Sequence, residues 1–130
     1  MEKQYRILLL EDEPLLRAML ARTLTGWGYR IATGGSLEDA EVLLHILGWE
    51  WPDLVLSDAN LSRHGHVLHG YLFHARWRAR HPVPPFLFMG GHSGHGFAPP
   101  PQGEDFRTGH ILKPFAPSEL RPILAAMLAR

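Results

Sequence analysis

The chain has 130 residues, 45% of them hydrophobic and 20% charged, and it contains no cysteine. Its 13 Lys and Arg balance 13 Asp and Glu, so no global field draws it to nucleic acid or an anionic membrane. Disulfides, thiol catalysis and thiolate zinc sites are excluded. The length suits one compact domain over residues 1–130. No apolar run is long enough to span a bilayer, and Met1-Glu2-Lys3-Gln4 opens no signal-peptide pattern. A cytoplasmic location is the expectation.

In chain order, Tyr5 to Leu10 reads as a buried strand that runs into Glu11-Asp12-Glu13. Pro14 fits the first turn of a helix, where its missing N–H costs nothing. Leu15, Leu16, Met19, Leu20 and Leu24 recur at helical spacing, and Gly26 or Gly28 ends that helix. Tyr29 to Thr33 is a short strand and Gly34-Gly35 a turn. Ser36 and Asp39 resemble a capping box for a helix that carries Ala40, Val42, Leu43, Leu44 and Leu47 and stops at Gly48.

Leu54-Val55-Leu56 is a wholly apolar run opened by Pro52-Asp53 and closed by Ser57-Asp58. It reads as a central strand buried on both faces. A loop rich in Gly and His follows, then a helix from about Val67 or His69 to Arg80 with Leu68, Leu72, Phe73 and Trp77 on one face. Pro82, Pro84 and Pro85 close it. Phe86 to Met89 is a fourth strand. Gly90 to Gly109 shows no helical pattern, and His110-Ile111-Leu112 forms a fifth strand stopped by Lys113-Pro114. Ser118 caps a last helix with Leu120, Ile123, Leu124, Met127 and Leu128 on its apolar face.

Strands alternating with helices through short loops call for α/β architecture, a doubly wound five-stranded parallel sheet covered on both faces. A Gly/Pro-rich loop takes the place of the helix between the fourth and fifth strands. The carboxyl ends of parallel strands share one edge, so Glu11 and Asp12, Asp58, and Lys113 are brought to the same rim, where such sheets bind ligands. Clustered carboxylates repel one another unless a cation sits among them. Oxygen-only donors suit Mg²⁺, and a nearby lysine can meet a phosphoryl group. Such a site allows a carboxylate to attack a phosphoryl donor. The plainer reading is a structural ion-pair network, with Glu11 and Asp12 merely favouring a helix N-terminus.

Three stretches carry a family resemblance: Ile-Leu-Leu-Leu-Glu11-Asp12-Glu13-Pro14, Pro-Asp-Leu-Val-Leu-Ser-Asp58-Ala-Asn-Leu, and Ile-Leu-Lys113-Pro114-Phe115. In that order they resemble the receiver domain of bacterial two-component response regulators, a flavodoxin-like fold, over essentially the whole chain. The resemblance implies a phosphoacceptor at Asp58 and Mg²⁺ held by Glu11, Asp12, Asp58 and the backbone carbonyl of Asn60. It implies that Lys113 contacts the phosphoryl group and that the peptide before Pro114 is cis. It also implies a sensor histidine kinase or histidine phosphotransfer protein as phosphoryl donor and a downstream protein partner. On that footing the chain is a phosphoacceptor that assists its own phosphorylation and dephosphorylation, not an enzyme.

Pro85-Phe86-Leu87-Phe88-Met89-Gly90-Gly91 further resembles the Pro-Phe-x-Phe-Ala-Thr-Gly signature of a stand-alone subgroup with an irregular segment in place of the fourth helix. Two positions depart from the family. Its switch Thr or Ser falls on Gly90, and its aromatic switch falls on His110. The loop after Asn60 lacks the usual Met-Pro and is longer before Gly70; Ser62, Ser93 or a water are the candidate substitutes for the missing hydroxyl. The alternative function is therefore a pseudo-receiver, a phosphorylation-independent binding or dimerisation module.

Nine histidines also raise a metal-binding reading, with His64-x-His66-x-x-His69 and His92-x-x-His95 the best clusters. They lack acidic partners, and zinc needs three or four ligands in fixed geometry, so surface histidines are the preferred reading. Trp27, Trp49, Trp51 and Trp77 are read as core and helix-end anchors.

Overall fold

The apolar runs become strands and helix faces in the computed structural model of the protein, which describes residues 3–61, 69–90 and 107–129. Among these the order is β1 (Arg6–Leu10), α1 (Pro14–Gly26), β2 (Arg30–Gly34), α2 (Leu37–Leu47), β3 (Leu54–Asp58), α3 (His69–Arg78), β4 (Phe86–Gly90), β5 (Thr108–Leu112) and α4 (Pro117–Leu128). All neighbouring strands pair in parallel. Their order is β2-β1-β3-β4-β5. The chain starts inside the sheet, adds β2 on one side, then crosses over to build the other. The crossover leaves a crevice at the carboxyl ends of β1 and β3.

Side chains alternate along each strand, so the sheet sorts its apolar residues into two cores. On one face Ile7, Leu9, Leu54, Leu56, Leu87 and Met89 meet Leu20 and Leu24 of α1 and Leu120 and Leu124 of α4. On the other, Leu8, Leu10, Val55, Phe86 and Phe88 meet Leu37, Ala40 and Leu44 of α2 and Phe73 and Trp77 of α3. Each fully buried side chain of this size contributes about 1.5–3 kcal/mol. β3 and β4 are buried at every position, as strands covered on both faces must be.

Helix starts follow from local chemistry. The Glu13 carboxylate accepts from the N–H groups of Leu15 and Leu16, with Pro14 in the first turn. Ser36 Oγ accepts from the Asp39 N–H at 3.0 Å, while Asp39 Oδ2 accepts from the Gly35 N–H at 3.0 Å. The box therefore closes on Gly35 rather than on Ser36 itself.

Three expectations are corrected. Leu15 is 80% and Met19 58% exposed, because α1 turns the row Leu16, Leu20, Leu24 to the sheet and leaves the adjacent i, i+4 row outside. Ala116, not Ser118, caps α4, and it does so without a side-chain hydrogen bond; Pro117 presets the first turn instead. β5 begins at Thr108, so Gly109 lies in a strand, where it packs beside Leu87 and Met127. The Gly/Pro stretch expected to replace a helix lies, from Gly91 to Phe106, outside the described residues.

Candidate acidic site at the carboxyl edge of the sheet

β1 delivers Glu11 to the crevice. Its N–H donates to the Gly34 carbonyl at 3.0 Å, which continues the pairing with β2 by one residue. Arg17, one turn into α1, donates from Nη1 to the Glu11 carbonyl at 2.8 Å and fixes the turn. The Glu11 side chain is consequently buried. Asp12 follows, partly exposed.

β3 delivers Asp58, which is also buried. Its Oδ1 accepts from the Asn60 backbone N–H at 3.1 Å, a local turn that a short carboxylate makes readily. From β5, Lys113 reaches back across the crevice. Its Nζ lies 3.0 Å from both oxygens of Glu11 and 3.1 Å from Asp58 Oδ2. The Lys113 N–H donates to the Gly90 carbonyl at 2.6 Å, locking the end of β5 to the end of β4. The Lys113–Pro114 peptide is cis, as the resemblance implies.

The electrostatics follow from this crowding. Burial and then the neighbouring Asp58 charge push the Glu11 carboxyl up to about 8, against the pull of Lys113. Asp12 is raised by burial and then by Asp58. Burial pulls Lys113 down, but Asp58 and Glu11 outweigh it and hold the ammonium above its usual range. One cation thus serves three carboxylates, and the pocket keeps an excess of negative charge.

Oxygens of Glu11, Asp12 and Asp58 all lie within 4.8 Å of one another. This donor set, carboxylates without nitrogen or sulfur, fits a hard divalent cation such as Mg²⁺. Among the described residues it is the sole acidic or histidine cluster close enough to hold an ion. His64, His66, His92, His95, Ser62 and Ser93 lie outside the described residues, and His69 opens α3.

Gly90 is the buried last residue of β4, so no side chain stands where the family places a hydroxyl. His110 pairs with Phe88 in register and is half-buried on the same face. There its Nε2 lies 2.9 Å from the Tyr71 hydroxyl. The sequence reading missed both Arg17 and Tyr71. Arg17 sits one helical turn after the acidic triplet, a spacing open to inspection; nothing local marks Tyr71, because its partner is 39 residues away.

Fold and site together define an α/β domain with an acidic, lysine-bearing pocket at the switch point of its sheet. A family model for the response regulator receiver domain matches residues 7–125, and the chain belongs to that family. A comparison with curated protein sequences found no match. Among solved structures, a response regulator receiver protein from Sinorhizobium medicae WSM419 is 23% identical with a TM-score of 0.77, covering 98% of this chain and 96% of its own. A putative response regulator from Chloroflexus aurantiacus J-10-fl is 24% identical with a TM-score of 0.74, covering 98% and 100%. The Vibrio cholerae chemotaxis protein CheY4 is 23% identical with a TM-score of 0.72, covering 96% and 99%. These likenesses show the flavodoxin-like receiver fold. No helix among the described residues is long and apolar enough to cross a membrane.

Proposed function

We propose that the chain acts as the receiver of a two-component phosphorelay and accepts a phosphoryl group on Asp58 from a sensor histidine kinase or a histidine phosphotransfer protein. The observation that carries this reading is the pairing of one lysine with Asp58 and Glu11, beside Asp12, at the open edge of the sheet. In the transfer, an Asp58 oxygen forms a bond to phosphorus while the bond from phosphorus to the donor's imidazole nitrogen breaks; with the ring's other nitrogen already protonated, the bond's electron pair returns to the ring and neutral imidazole leaves. Such transfers depend on positioning and charge stabilisation more than on covalent chemistry from the protein.

Each residue has a stated task. The Asn60 N–H orients the Asp58 carboxylate. Lys113, already within 3.1 Å of Asp58, transfers its hydrogen bonds to the incoming phosphoryl oxygens. The carboxylates of Glu11, Asp12 and Asp58 and the carbonyl of Asn60 would hold Mg²⁺. When bound, the ion supplies charge neutralisation at the phosphoryl oxygens. The same arrangement assists hydrolysis of the acyl phosphate, so the chain is a self-assisting acceptor and not an enzyme acting on a separate substrate.

A second reading, the pseudo-receiver that binds or dimerises without phosphorylation, draws on Gly90 at the end of β4, which has no hydroxyl to follow a phosphate. Intact mass decides between the two. After incubation with a small phosphodonor and Mg²⁺, the native protein gains one phosphoryl group and Asp58→Asn gains none. No gain in the native protein favours the pseudo-receiver.

A further inference from the structure

We propose that the Tyr71–His110 hydrogen bond is the contact that carries the state of Asp58 to β5, in place of a hydroxyl at Gly90. This rests on Asp58 being the phosphoacceptor. Its basis is a continuous line of contacts that begins at the backbone of that residue.

The first link is Gly70. Its N–H donates to the Ala59 carbonyl at 3.0 Å, and a Cβ at this position would collide with the Asp58 carbonyl oxygen. The first turn of α3 therefore sits directly on the backbone of Asp58 and Ala59, and close-packed groups transmit displacement. The Ala59 N–H donates in turn to the Met89 carbonyl at 2.8 Å, so this backbone is anchored on the β4 side too. A charge added at Asp58 cannot move this segment without moving the start of α3.

Tyr71 is the next residue. Its ring packs edge-on against Phe88 of β4, with centroids 4.6 Å apart, and its hydroxyl reaches over to His110 Nε2 at 2.9 Å. Phe88 also lies against the His110 ring, with centroids 5.4 Å apart. The contact thus bridges α3 to the edge strand β5 across β4. Burial pushes the Tyr71 hydroxyl up to about 12 and lowers His110 below its ordinary value. Both groups are neutral at pH 7, so one proton is shared between the phenol oxygen and Nε2, its direction set by the imidazole tautomer. A bond of this kind has one geometry and is lost when either ring turns away.

At the far end, His110 lines a groove of about 350 Å³ with Thr108, Gly109, Ile123 and Met127. Its ring, in register with Phe88, stands on the face of β5 opposite α4, so a change in the ring alters the α3 side of the edge strand and reaches this groove only through the β5 backbone. Nothing from the side chain of Gly90 competes with this route.

The test observes His110 directly. Imidazole nitrogen resonances are recorded by NMR with and without Mg²⁺ and beryllofluoride, with fluorine NMR reporting occupancy at Asp58 and His110→Phe identifying the signal. In the native protein, the mimic shifts His110 Nε2 and the amides of β5. In Tyr71→Phe, which keeps the ring against Phe88 and removes only the hydroxyl, the mimic still binds and Asp58 is still phosphorylated. The shift at His110 is then lost. A bound mimic with His110 unmoved overturns the relay and leaves the acceptor role standing. An equal response of β5 in Tyr71→Phe and native protein does the same. Failure of native Asp58 to take either phosphoryl group or mimic overturns both.

Discussion

Replacing Lys113 by alanine removes the cation that Glu11 and Asp58 share, and the structure sets both the size and the pH range of the loss. Truncating one partner of a fully buried ion pair costs about 3–5 kcal/mol, and a hydrogen bond to a charged group contributes about 1.5–3 kcal/mol. The Lys113 side chain is 24% exposed, which places Lys113→Ala nearer about 2 kcal/mol. Glu11 shapes the pH dependence. Its folded carboxyl is raised from 4.5 to about 8, so the stability it contributes is full below 4.5 and is lost as pH climbs towards 8. In the variant the pull of Lys113 is gone, the carboxyl rises further, and the loss continues past 8. Native and variant Glu11 therefore lose stability in parallel below about pH 8 and separate above it. Lys113 is itself raised above 10.5, so its contribution holds below 10.5 and disappears as pH rises through the folded value. The gap between the two proteins opens above about pH 8 and closes again as pH rises through the lysine's folded value. Urea unfolding at each pH, read from the midpoint at constant slope, measures it. A difference below about 0.5 kcal/mol throughout, or a larger one at the acid end, refutes the reasoning.

Titration with Mg²⁺ should shift amides around Glu11, Asp12 and Asp58, and Asp12→Asn should weaken binding on the order of tenfold or more; shifts confined to the histidine-bearing loops would count against the acidic pocket. Trp77 is buried and, among the described residues, its Nε1 has no hydrogen-bond partner, so Trp77→Phe should cost under about 1.5 kcal/mol while Trp77→Ala costs about 3–5 kcal/mol. Denaturant melts of the two variants check this, and similar losses would mean that the indole N–H has a partner. On α1, Leu15→Ser should change stability by less than about 0.5 kcal/mol and Leu24→Ala should remove about 2–5 kcal/mol, although both leucines belong to one helical apolar pattern. Equal losses would place Leu15 in the core.

The fold was legible because its cause is local and repeated. Runs such as Leu54-Val55-Leu56 and Phe86 to Met89 are too short and too apolar for anything but strands covered on both faces. Between them, apolar residues recur at helical spacing, and parallel strands joined by helices must direct their carboxyl ends to one side. That alone brings Glu11, Asp12, Asp58 and Lys113 to one rim. Which of the apolar residues are buried was not legible. Leu15 and Leu16 are equivalent in pattern, and only the docking angle of α1 on the sheet turns one inward and the other out.

The site divides in the same way. Residue types and strand ends specify an acidic pocket with a lysine, but the distances that lift Glu11 to about 8 exist only once β1, β3 and β5 are assembled. Gly90 and His110 are visible in the sequence as departures from a pattern. The answer to what His110 does instead comes from Tyr71, which lies on another element, 39 residues away. A side chain's periodicity reports which face it occupies; its partner is decided by the packing of α3 over β4, and that is a property of the whole fold.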